Sequence, residues 1–125
     1  MIRQAAILAL LVATTSAADA ACMKSDQPEP AEGRLTLGRF KDAADRPETA
    51  FILQLPAAVC LDAQDAEDRV DSTRTIHVYS TDDAIQSSLR RLVGRAVLVH
   101  GKAFSAHTAH HHAPIVMNVS DVRGK

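Results

Sequence analysis

The chain alternates apolar and polar residues over five separate stretches, which is the pattern of half-buried β-strands. In residues 49–55, for example, Phe51, Leu53 and Leu55 fall on one face, and Pro56 follows them. Polar or turn-forming residues separate these stretches from one another. The alternation therefore predicts five strands, over residues 34–40, 49–55, 70–79, 96–104 and 115–122.

The spacing of apolar residues becomes helical between the third and fourth predicted strands. Residues 80–83 (STDD) offer N-cap side chains with acids in the first turn, and Gly94 can end the helix. The apolar residues that recur at helical spacing in between are Ile85, Leu89, Leu92 and Val93. One helix is therefore predicted immediately before the fourth strand.

The order of the elements is three strands, one helix and two strands. In the first strand the apolar phase slips at Phe40 just after Gly38, which indicates a bulge or sharp coil. These features predict a mainly β fold over residues 34–123, an OB-like five-stranded partly open barrel with one helix between strands 3 and 4. A small α+β sandwich is the alternative. The predicted core is Leu35, Leu37, Phe51, Leu53, Leu55, Ile76, Val78, Leu89, Val97, Val99, Ile115, Met117 and Val119.

An apolar run near the start of the chain, residues 5–13, is too short to cross a bilayer as a helix. Arg3 precedes this run, and residues 18–20 (ADA) fit a small-residue cleavage site. Residues 1–20 are therefore predicted to be a secretory signal peptide, which places the protein in the periplasm or outside the cell. A membrane anchor and a lipoprotein cut before Cys22 are the alternatives.

The remainder of the chain is predicted to be one small domain after a flexible lead-in, residues 21–33, which carries prolines and charges. It contains no second apolar run long enough to cross a membrane, so stable membrane insertion is not expected. The formal net charge is −1, and the aromatic residues are three Phe and one Tyr. Nucleic-acid binding favours basic residues and stacking rings, so nucleic acid is not expected among the partners.

The chain holds two cysteines, Cys22 and Cys60, both after the predicted signal peptide. Export places them in an oxidising compartment, where a disulfide is favoured over free thiols or a pair of thiolate metal ligands. In the chain-entropy model, such a crosslink stabilises the fold by roughly 3–4 kcal/mol.

Several motifs make the chain resemble the domain-of-unknown-function family 4431. An apolar strand followed by a proline and a cysteine is matched at Leu55, Pro56 and Cys60. A later strand pattern and a histidine motif fall on Gly94, Val97, Val99, Gly101, Phe104, His107, Thr108, His110, His111 and Pro114. The resemblance covers residues 34–123 and supports the fold and export, and the family brings no settled activity with it.

Residues 107–114 (HTAHHHAP) hold four of the six histidines and connect the last two predicted strands. In OB barrels this connection and the one between the first two strands, here residues 41–48, flank the binding face. The histidines are therefore predicted to lie at the barrel rim beside residues 41–48. Of the other histidines, His77 is predicted to face solvent or the barrel mouth, and His100 is predicted to lie on the surface.

Three roles remain open for the histidine stretch. His107, His110 and His112 are candidate ligands for Zn²⁺ or Cu²⁺, because neutral imidazole binds both ions and an acid of the facing loop can complete the site. Alternatively, His111 faces the core and Thr108 bonds the backbone, so that the motif only shapes a turn. In the third role, clustered imidazoles repel one another when charged and loosen the loop in acid.

The favoured function is an exported small binding module whose ligand is unknown. The predicted binding residues are His107, Thr108, His110, His111 and His112, on the barrel face beside the loop. The expected partner is a small ligand or an envelope protein, and an enzyme is not favoured because the catalytic signatures G-x-S-x-G and H-E-x-x-H are missing from the sequence. The alternative function is binding of a divalent transition metal, or metal-dependent activity, through the same loop.

Overall fold

The computed structural model describes residues 9–12 and 22–125. The predicted signal peptide, residues 1–20, and its cleavage site lie largely outside the described residues, so this prediction stays a prediction. In the described part of the chain, no helix is long and apolar enough to span a membrane.

Six strands and one α-helix make up the described residues. They are β1 (Met23–Lys24), β2 (Pro28–Lys41), β3 (Pro47–Asp62), β4 (Val70–Tyr79), α1 (Asp83–Leu92), β5 (Ala96–Ser105) and β6 (Ile115–Gly124), with a 3₁₀ helix at Ala66–Asp68. All five predicted strands are present, as β2 to β6. The expected flexible lead-in differs from the structure, because its second half already belongs to β2 and pairs with β5.

The five long strands form a closed ring. Around it, β2 pairs antiparallel with β3, β3 with β4, and β5 with both β2 and β6, whereas β4 and β6 are parallel. The two-residue β1 adds a parallel strand to the outer edge of β3. This arrangement confirms the OB-like five-stranded barrel with one helix between strands 3 and 4.

The barrel closes because β2 is long and changes partner along its length. Its first half pairs with β5 and its second half with β3, and Arg34 takes part in both pairings. Gly33 precedes this point, where a Cβ would overlap the backbone of Gln54. The predicted irregularity at Gly38 and Phe40 is wrong, because the β2–β3 register runs without a break through both residues.

The barrel interior holds most of the predicted core. Buried there are the predicted residues Leu35, Leu53, Leu55, Ile76, Val78, Leu89, Val97, Val99, Ile115, Met117 and Val119. Phe51 is only partly buried against this cluster, and Leu37 is 48% exposed, so Leu37 is a wrong assignment. Pairing of β1 with β3 adds Met23 and Leu61 to the core, which the alternation alone did not indicate.

Helix α1 begins as the sequence indicates. The side chain of Asp82 caps it by accepting a hydrogen bond of 3.0 Å from the backbone N–H of Ile85. Leu89 is fully buried in the barrel core, and Gly94 adopts a φ of 87° just after the helix. Val93 is the C-cap residue and is 36% exposed, so it does not extend the apolar face of the helix.

Cys22 and Cys60 form a disulfide. The next residues on each side, Met23 and Leu61, are register partners in β1 and β3. The crosslink therefore fixes the start of the described domain against the second long strand.

Candidate binding site at the histidine loop

Residues 106–114, here called the histidine loop, connect β5 to β6, and backbone pairing closes the hairpin at the base of this loop. Ser105 and Ile115 are register partners at the ends of β5 and β6, and the backbone N–H of Ala106 donates to the carbonyl of Pro114 at 3.0 Å. Within the loop, the N–H of His111 donates to the carbonyl of Thr108 at 3.1 Å. The ladder is thus complete before the loop departs from it.

The histidine loop covers the outer face of the barrel. Four outward positions, on β3, β4, β6 and β5, are consecutive register partners: Ile52, His77, Val116 and Phe104. Ile52 is only 6% exposed and Val116 is fully buried, although both alternate with residues of the barrel interior. Ala113 of the loop packs against Ile52, in a second apolar cluster outside the barrel.

Glu48 joins the loop to the start of β3. Its Oε2 lies 2.8 Å from Nδ1 of His110, and its Oε1 lies within hydrogen-bonding distance of Nε2 of His112. The predicted proximity of the histidines to residues 41–48 is therefore correct. These bonds, first from His112 and then from His110, lower the pKa of the Glu48 carboxyl, which therefore stays ionised at neutral pH.

Two backbone amides donate to imidazole rings. The N–H of His112 donates to Nδ1 of His77 at 3.2 Å, and the N–H of His107 donates to Nδ1 of His111 at 3.1 Å. A ring nitrogen accepts only when it carries no proton, so both rings are neutral in this arrangement. Burial first, and then neighbouring imidazoles, lower the pKa of His77 to about 4 and also lower the pKa of His111.

The rings of this face form a continuous cluster. His112 stacks on Phe40 with a centroid distance of 4.2 Å and an interplanar angle of 5°, and its other neighbour is His77 at 5.8 Å and 25°. The cluster continues through Tyr79, Phe104, His107 and His111, with centroid distances between 4.7 and 6.4 Å. The rings of Phe40, Tyr79 and Phe104 remain partly exposed. The face therefore offers ring surfaces to a ligand.

The structure brings only part of the predicted metal set together. His110 and His112 share Glu48, whereas the Nδ1 of His107 lies 3.1 Å from the carbonyl of Ser105 and its ring packs on His111. Two nitrogen or oxygen ligands of one tetrahedral Zn²⁺ lie roughly 3.3 Å apart. Nδ1 of His110 and Oε2 of Glu48, at 2.8 Å, lie closer together than that. Among the described residues, no group of three or more His, Cys, Asp or Glu is placed to hold a metal ion. A Zn²⁺ or Cu²⁺ site at His107, His110 and His112 stays a prediction.

Thr108 shapes the turn, as its residue type suggests. Its Oγ1 accepts a hydrogen bond of 3.2 Å from the N–H of His110. His111 does not enter the barrel core but lies in the ring cluster on the outer face.

Sequence reasoning missed two members of this site. His77 was expected to face solvent or the barrel mouth, but it accepts a bond from the histidine loop and is half-buried. Phe40 was assigned to an irregular strand, but its ring stacks on His112. Both residues alternate out of phase with the core, which places them on the outer face, and only the long-range register shows which loop covers them.

One solved structure that resembles this chain is a small single-stranded DNA-binding protein from Streptomyces coelicolor. The two chains are 18% identical, the alignment covers 80% of this chain and 94% of that chain, and the TM-score is 0.43.

The exclusion of nucleic acid from the partners is contradicted by this comparison, because the neighbour is a single-stranded DNA-binding protein. The exclusion depended on net charge and on aromatic residues that were expected to be mostly buried. In the structure, Tyr79 and Phe104 lie on the outer face and are partly exposed. Composition did not show where those rings lie.

No curated protein matches the chain. A family model does match, over residues 75–123, from the middle of β4 to the last residue but one of β6, and this match confirms the resemblance over a shorter range than expected. The matched part contains His77, α1 and the whole histidine loop. Residues 75–123 thus match the family described as Domain of unknown function (DUF4431).

Proposed function

We propose that this protein is an exported small binding module, and that its ligand binds on the outer barrel face at the histidine loop. The observation that carries the proposal is that the histidine loop, Glu48 at the start of β3 and the partly exposed rings of Tyr79 and Phe104 meet on one face. Barrels of this class bind oligonucleotides or oligosaccharides at the same connections. Stacking on rings and hydrogen bonding to imidazole and carboxylate supply the binding chemistry.

Export is the second part of the proposal. The disulfide between Cys22 and Cys60 supports it, because such bonds persist in oxidising compartments. Mass spectrometry of the protein recovered from a periplasmic extract or the medium tests it. The expected species begins close to residue 21, and an intact N-terminus in a cytoplasmic fraction would contradict it.

Amide NMR spectra of the purified protein, titrated with three separate probes, test the binding site. The probes are single-stranded dT12, cellohexaose and Zn²⁺. We expect saturable shifts in the histidine loop and at Tyr79 and Phe104 with at least one probe. Substitution of both rings by alanine should abolish the response to an oligomer, whereas His100→Ala, on the remote part of β5, should not.

The zinc arm separates the metal alternative from ring stacking. Metal binding would be favoured if the NMR shifts caused by Zn²⁺ are lost in a His110→Ala/His112→Ala variant. The same shifts should persist when Tyr79 and Phe104 are both replaced by alanine. The absence of saturable shifts on this face with all three probes would overturn the proposed site.

A further inference from the structure

We infer that Glu48, Phe40 and His77 form a slot that recognises a guanidinium group, and that the histidine loop fills this slot as an internal ligand. The external ligand is an arginine side chain on a segment of another protein. The inference rests on the proposed function in that it uses the same outer face, and it adds a second binding position there beside the rings of Tyr79 and Phe104.

The position of His112 shows the shape of the slot. Its ring lies between Phe40 and His77, close to parallel with both, and its side chain is only 9% exposed. Its Nε2 reaches Oε1 of Glu48 at the edge of the ring. A planar group with an N–H donor at its edge is therefore what this slot holds.

The two oxygens of Glu48 are used separately. His112 reaches Oε1 and His110 reaches Oε2, so two different side chains supply the two N–H groups. A guanidinium presents two parallel N–H donors on one planar group and stacks on aromatic rings. One arginine side chain therefore replaces both imidazole bonds and the stacking contact of His112 at once.

Charge also favours a cationic guest. The carboxylate of Glu48 is 24% exposed, and both of its oxygens already face N–H donors. Arg46 lies in the turn before β3, two residues from Glu48. Its Nε donates to Oδ2 of Asp42 at 3.0 Å. Asp42 thus engages that guanidinium, while Glu48 is bonded to imidazoles that an incoming arginine can displace.

The loop is suited to act as a displaceable guest. His110 is 66% exposed, and the base of the loop is held by the Ala106–Pro114 bond and by the Ser105–Ile115 pairing, neither of which involves Glu48. Release of the two imidazoles from Glu48 therefore leaves the hairpin base intact.

The test uses N-acetyl-L-arginine amide as the probe and NMR shifts of Phe40, Glu48 and His77 as the readout. We expect the His110→Ala/His112→Ala variant to bind this probe about tenfold more tightly than the wild type, because its slot is vacated. Adding Glu48→Gln to that variant should remove the gain. N-acetyl-L-lysine amide should bind less tightly, since an ammonium cannot stack or donate in parallel.

Matched controls separate the possible failures. His100→Ala should bind the probe as the wild type does. If circular dichroism shows that the double variant is unfolded, the single variant His112→Ala empties the slot with a smaller change to the loop. Equal affinity in the wild type and the vacated variants, or a gain that survives Glu48→Gln, would overturn the slot. A failure of the proposed function appears instead in the wild-type titrations with dT12, cellohexaose and Zn²⁺.

Discussion

Mild acid should destabilise this domain through His77. Its Nδ1 accepts the backbone N–H of His112 at 3.2 Å. The groups around its ring are His111, His112 and Tyr79, and Glu48 is the facing anion. Protonation of Nδ1 removes this acceptor and places a cation beside the other imidazoles. The neutral ring therefore supplies one of the contacts that hold the loop on the barrel.

The size of the effect follows from the lowered pKa of His77, about 4 against an ordinary 6.5. Because the unfolded chain takes up the proton first, the free energy of unfolding falls as the pH drops from 6.5 towards 4. The full difference corresponds to about 3 kcal/mol, at 1.36 kcal/mol for each pH unit. The ring is only half-buried, so solvent screening reduces the expected loss to about 1 kcal/mol between pH 7 and 5.

Urea unfolding at pH 7 and pH 5, followed by circular dichroism in the presence of a chelator, measures this loss. The matched variant is His77→Asn, whose side-chain oxygen can accept the same N–H but does not titrate. Glu48 and Asp42 also have lowered pKa values, but their ordinary values are 4.5 and 3.8, so their contribution is lost only in stronger acid.

The variant should lose clearly less stability than the wild type over this interval. His111 keeps some of the dependence, because its pKa is lowered in the same direction. A His100→Asn control should follow the wild type. The reasoning is refuted if His77→Asn and the wild type lose equal free energy between pH 7 and 5.

Three further predictions concern the barrel, each measured by urea unfolding. Leu53→Ala, in the buried interior, should lower the free energy of unfolding by about 2–5 kcal/mol. Leu37→Ala, at a position that is 48% exposed, should lower it by less than about 1 kcal/mol. Similar losses in the two variants would contradict the core assignment. Replacing Cys22 and Cys60 by serine should cost roughly 3–4 kcal/mol, and a reductant should then have no effect; an unchanged value would show that the crosslink is not stabilising. Gly101→Ala should destabilise the domain, since its Cβ would overlap the facing backbone of β6, and a neutral result would contradict that close approach.

The barrel was predictable because its interior imposes a period of two on each strand. Positions such as Leu53, Ile76 and Val99 follow that period and are buried. The first half of β2 carries two prolines and no such alternation, so only its pairing with β5 defines it as a strand. A local pattern cannot indicate a strand that is specified by its partner.

The site was predictable in position but not in its contacts. Barrel topology brings the histidine loop beside residues 41–48, and this much follows from the order of the elements. The choice of Glu48 as the anchor, of His112 as the stacked ring and of His77 as the acceptor depends on the register between strands far apart in sequence. Spacing within HTAHHHAP grouped His107 with His110, whereas in the structure His110 contacts Glu48 and Nδ1 of His107 lies at the carbonyl of Ser105.

The closed hairpin beneath the histidine loop has an evolutionary and engineering consequence. Since Ala106 and Pro114 already complete the ladder, the seven residues between them contribute nothing to strand register. Changes in that segment therefore leave the strand register as it is, whereas His112 and Ala113 also hold the loop on His77 and Ile52. Libraries randomised over residues 107–111, with His112 and Ala113 retained, are therefore a direct way to give this barrel new specificities.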